Sequence, residues 1–78
     1  MEITIGTNIK RLRTERGVTQ EQLAEAMNVT CAAVSKWERG ETYPDITLLQ
    51  PLAFYFDVTL DSLMGYDKEK VNEEIEKG

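Results

Sequence analysis

The stretch TQEQLAEAMNVTCAAVSKWERG, residues 19–40, constrains the chain most, because helix stop and start signals punctuate it at both ends and in the middle. Thr19 is an N-cap residue, and Gln22 three positions later completes a capping box; Val18 and Leu23 stand at the staple positions on either side of the cap. Leu23, Ala24 and Met27 supply one apolar face, and Asn28 suits the left-handed turn that ends a helix. Thr30 then caps again, Val34 and Trp37 are the next inward positions, and Gly40 stops the run. The spacing predicts an eight-residue helix, a three-residue turn and a nine-residue helix. Small Ala24 lets the two helices cross closely, with Val29 and Val34 turned inward. A helix pair of this kind leaves the N-terminal end of its second member projecting.

The flanking sequence reads as further short helices. Ile5, Ile9 and Leu12 repeat at i, i+4, i+7; Thr4 stands at the start, and Arg13, Arg16 and Gly17 mark the end. Residues 41–43 form a loop, and Tyr43-Pro44 is expected to be extended. A fourth helix begins at Asp45 or Thr47, with Ile46, Leu49, Leu52, Ala53 and Phe56 as its apolar set. Pro51 lacks an N–H, so regular helix is expected from Leu48 or Leu49, after a tighter turn over residues 45–48. Thr59 caps a short fifth helix with Leu60, Leu63 and Met64 inside, and Gly65 ends it. In YDKEKVNEEIEKG, residues 66–78, Asp67 reads as an N-cap, Tyr66 and Val71 as a staple, and Val71 and Ile75 as one stripe. Two residues cannot hold a helix alone. This segment reads as the start of a sixth helix, an acidic extension or a linker to a further region. The expectation is an all-α domain over residues 1–65, with residues 66–78 appended; no β alternation is visible.

Composition closes off most chemistry. A chain of 78 residues with 41% apolar side chains supports one core and no second domain. There is no histidine and a single cysteine, which excludes a Ser-His-Asp triad, a Cys-His dyad, a histidine zinc site and an internal disulfide. The five glycines are scattered near helix ends, so no phosphate-cradling loop exists. Glu73 and Glu74 lie in a polar segment where nothing would raise a carboxyl pKa for acid catalysis. No catalytic residue, cofactor or metal is therefore expected. No apolar run is long enough to span a membrane, and MEITIGTNIKRLR lacks the apolar core of a signal peptide. A cytoplasmic protein is the expectation. The net charge of −5 argues at first against nucleic acid, but it is uneven. Residues 1–40 carry six basic and five acidic residues; residues 41–78 carry three and nine. A local basic face survives in an acidic chain because salt screens distant charges.

With those features in order, the sequence resembles the Cro/repressor-type (XRE-like) helix-turn-helix domain of phage and bacterial regulators. The likeness runs from Ile5 to Gly65 and is carried by IGTNIKRLRTERGVTQEQLA, SKWERGETYPD and DVTLDSLMG. It implies a compact five-helix, lambda-repressor-like fold. It also implies sequence-specific binding of double-stranded DNA, commonly as a homodimer on a palindromic site, in a transcriptional regulator and first of all a repressor.

The resemblance assigns roles position by position. Cys31, Ala32, Ser35 and Lys36 stand where the family faces base edges. Lys36 can donate to guanine O6/N7, Ser35 to a purine or a phosphate, and Ala32 can rest on a thymine methyl. Gln20 and Thr30, at the two helix starts, fall at phosphate-contacting positions; Arg39, Lys10 and Arg11 are further phosphate candidates. Arg13 and Glu38 stand where the family has an ion pair tying the first helix to the third. Plainer readings exist for each: Lys36 as a solvated lysine, Gln20 and Thr30 as helix-start residues only, Cys31 as a small filler, Trp37 as core. The run Cys31-Ala32-Ala33 departs from a family that often has Gln, Arg or Ser there. It leaves few hydrogen-bonding groups for readout and shifts weight to methyl contacts and DNA shape. The alternative function is a protein-interaction module that keeps the fold without binding DNA.

Overall fold

Three of the helix connections are built from the same three-residue device. Gly17-Val18-Thr19, Asn28-Val29-Thr30 and Asp57-Val58-Thr59 each place a left-handed residue, a valine and a helix-capping threonine in succession. The first residue has φ of 67°, 58° and 56° respectively, the second docks on the core, and the third caps the next helix. Each threonine hydroxyl accepts a backbone N–H three residues on, from Gln22, Ala33 and Ser62, at 3.0–3.1 Å. Each valine N–H reaches back to a carbonyl of the preceding helix, on Arg13, Ala24 and Ala53, at 2.9–3.0 Å, closing a Schellman motif.

The structure, a computed structural model, describes residues 5–65, and these hold five helices and no strand. They are α1 (Ile5–Glu15), α2 (Gln20–Met27), α3 (Cys31–Arg39), α4 (Ile46–Tyr55) and α5 (Leu60–Leu63). The eight-residue helix, three-residue turn and nine-residue helix read from residues 19–40 are reproduced, capping box included. The Thr4 cap and the sixth-helix start at Asp67, Val71 and Ile75 lie outside the described residues.

The core is purely apolar. Ile9, Leu23, Val34, Leu52, Phe56 and Leu63 are wholly enclosed, with Ile5, Leu12, Ala24, Met27, Trp37 and Ala53 around them. Every helix contributes, so no helix is stable without the rest. Gly6 marks the tightest approach: a Cβ there would lie 1.9 Å from the Trp37 carbonyl oxygen, so α1 rests directly on the last turn of α3. Two side chains lock the periphery, with Asn8 donating to the Leu63 carbonyl at 3.2 Å and Arg16 donating to the Phe56 carbonyl.

α4 departs from the reading of its sequence in two ways. It begins at Ile46, capped by Asp45, and continues regularly through Pro51, rather than starting at Leu48 or Leu49. A tight bond from the Leu48 N–H to the Asp45 carbonyl at 2.8 Å does occur, but within the first turn. Thr47 and Pro51 both face solvent, so water can satisfy the carbonyl that the proline leaves without a donor. Ile46, expected inside, is 79% exposed.

Candidate functional site

Two anchors fix α3. Val34 and Trp37 are buried and Ala33 is half-buried, so the helix cannot rotate. The opposite side therefore faces outward: Cys31, Ala32, Lys36 and Arg39 are exposed and Ser35 partly so. Positions 31, 32, 35, 36 and 39 follow the i, i+4 geometry of a single helical face. Thr30, exposed at the head of this helix, spends its hydroxyl on the Ala33 N–H. The face carries two cations, Lys36 and Arg39, both in its last turn.

A chain of polar contacts runs behind it. Glu38 grips Arg13 with both carboxylate oxygens, at 2.7 Å to Nε and 3.1 Å to Nη2. The side chains are 3% and 16% exposed. Arg13 also donates Nη1–H to the Val18 carbonyl at 2.9 Å, so this side chain joins α1, the first connection and α3. The Glu38 hydrogen bond pushes the Arg13 guanidinium further up from its already high ordinary pKa, with burial opposing. Glu38 also accepts from Gln20 Nε2 at 3.0 Å, and the Gln20 carbonyl oxygen faces Cys31 Sγ at 4.0 Å. Gln20 is thus half-buried between α1, α2 and the head of α3, not a free arm at a helix start.

Of the remaining basic residues, Arg11 pairs with Glu15 on the surface of α1 at 3.4 Å. Lys10 is exposed. Among the described residues no hydrogen bond or ion pair joins Lys10 or Arg11 to the α3 face. Arg39 is engaged by Ser35 and by Glu41, a residue that the sequence did not single out. Its signal was faint: an acidic residue two positions after a cation, across a helix-ending glycine. No cluster of acidic or cysteine side chains suited to a metal ion occurs among the described residues.

This arrangement is a helix pair presenting one outward helix face, and comparison with known proteins gives the same class. Residues 9–63 match the helix-turn-helix family, and the chain belongs to that family. Over 57 residues it is 45% identical to the HTH-type transcriptional activator BcrR of Enterococcus faecalis, covering 73% of this chain and 28% of that protein. Among solved structures it is similar to a transcriptional regulator from Listeria innocua, with a TM-score of 0.82 and 38% identity. That match covers 87% of this chain and 64% of the other. It is also similar to the P22 c2 repressor protein in complex with a synthetic operator, with a TM-score of 0.75 and 30% identity, covering 81% and 96%. The chain spans between about a quarter and a little over half of the length of the first curated relatives it matches.

Proposed function

We propose that the chain binds double-stranded DNA as a sequence-reading transcriptional regulator, laying residues 31–39 in the major groove. The observation that carries this is the outward face of α3, held in a fixed rotation by Val34 and Trp37. The operator-bound P22 c2 repressor supports it through a like fold. Lys36 donates to guanine, Ser35 to an acceptor on a base edge, and Ala32 with Cys31 packs on thymine methyls. Thr30 and Arg39 meet the backbone through their side chains and Gln20 through its main-chain N–H at the start of α2, with Lys10 and Arg11 at the margin. The activity is binding with no chemical step, in the cytoplasm, by a homodimer on a palindromic site. Repression is the simplest outcome, since it requires only that the bound protein occupy a promoter.

The test is selection of duplex DNA from a random pool at low salt, with Lys36→Ala beside the wild type. Enrichment of a palindrome that changes or disappears in the variant is expected. Affinity should fall with salt at roughly 0.9 log units per phosphate neutralised, per log unit of salt. If neither protein binds even at low salt, the reading gives way to a protein-interaction module.

A further inference from the structure

We infer that Glu41 competes with DNA phosphate for Arg39 and so sets how tightly the α3 face binds any duplex. The inference rests on the DNA-binding reading above and names a residue that the reading does not use. The geometry comes from the end of α3. Gly40 takes a left-handed conformation, φ 76°, and turns the chain back so that the Glu41 N–H bonds the Lys36 carbonyl at 3.0 Å. The turn brings the Glu41 side chain alongside the last helical turn. Its Oε2 accepts the Arg39 Nε–H at 2.5 Å and lies against Nη2 at the same distance. The third arm of the guanidinium, Nη1, donates to Ser35 Oγ one turn back.

The Nε/Nη2 edge of Arg39, the edge a phosphate would grip, is therefore taken by a carboxylate, while two of its five N–H groups keep no partner among the described residues. Arginine binds both anions with the same planar fork, so one displaces the other on a single site. The face has two cations, Lys36 and Arg39, so the pairing of Arg39 with Glu41 bears on half of its positive charge. Both partners are exposed, so the pair is weak and salt-screened, and phosphate can break it. Since phosphate carries no sequence information, the loss falls on all duplexes alike.

Binding of a fluorescein-labelled mixed-sequence duplex at low salt, followed by anisotropy, tests this with four proteins: wild type, Glu41→Gln, Arg39→Ala and the double variant. Glu41→Gln should bind about two- to fivefold tighter, the range expected for release of an exposed ion pair. The double variant should bind no tighter than Arg39→Ala. An equal gain in the Arg39→Ala background would show simple repulsion between Glu41 and DNA, and would overturn the inference. So would wild-type binding that Glu41→Gln leaves unchanged or weakens. Absence of binding by the wild type and all variants would sink the DNA-binding reading, and this inference with it.

Discussion

At the scale of single residues, Glu38 and Gly6 carry the most consequence. Glu38 is almost fully enclosed, and both of its oxygens are committed, to Arg13 and Gln20. Glu38→Gln removes the charge and leaves a largely buried guanidinium without its counterion. The expected cost is about 2–4 kcal/mol, read from the urea midpoint. The raised Arg13 pKa has a definite sign: its stabilisation is complete below the ordinary arginine range and is lost only as pH rises through the still higher folded value. The pair should therefore contribute evenly across neutral pH, with no alkaline step below about pH 10 from this group. Gly6→Ala would gain up to about 1 kcal/mol of helix propensity. The 1.9 Å approach to the Trp37 carbonyl overrides that, because backbone must move. A net loss of about 2 kcal/mol or more is expected in thermal unfolding, with α3 displaced. The Arg13–Glu38 pairing was legible from family likeness; nothing in the spacing of Gly6 announced a helix-to-helix contact.

The helices owe their lengths to their ends more than to their interiors. α2, α3 and α5 are capped by threonines, and α1, α2, α3 and α4 each end in a left-handed residue. Two of those four are glycine and two, Asn28 and Asp57, carry a Cβ. The left-handed region is strained for a residue with a side chain, and asparagine tolerates it better than most. Asp57→Gly is therefore expected to stabilise the fold by about 0.5–1 kcal/mol, with a raised thermal midpoint and unchanged circular dichroism at low temperature. A decrease would mean that the aspartate side chain makes a compensating local bond. The stops at Gly17, Asn28 and Gly40 were readable from residue type. The stop at Asp57 was not, because aspartate signals helix starts more often than ends.

At the scale of the whole molecule, the described residues include an apolar surface that the core does not need. Phe54 is 88% exposed on α4, beside a shallow cleft lined by Gln50, Pro51, Ala53, Val58 and Leu60. A projecting ring next to a cleft of fitting character can pair with itself about a two-fold axis, which suits the proposed homodimer. Phe54→Ser should leave the monomer's thermal midpoint within about 0.5 kcal/mol of wild type, since the ring touches little. It should also shift sedimentation towards monomer and weaken binding to a palindrome more than to a half-site. Equal sedimentation of the two proteins would place the dimer contact elsewhere. The sequence by itself determined where helices start and stop, because caps, left-handed residues and apolar spacing act within a few residues of one another. It also named Ile9, Leu23, Val34, Trp37, Leu52, Phe56 and Leu63 as inward-facing, since helical periodicity makes a face legible. Only the tertiary structure decided the rest. It put Ile46 outside, because α4 carries apolar residues around most of its circumference, with only Thr47 and Gln50 polar, and its own pattern does not say which of them are covered. It joined Asn8 to Leu63 and Arg16 to Phe56, contacts between residues far apart in the chain. And it turned Glu41 back onto Arg39, a meeting set by the path of the chain after Gly40 rather than by either residue's place in a periodic pattern.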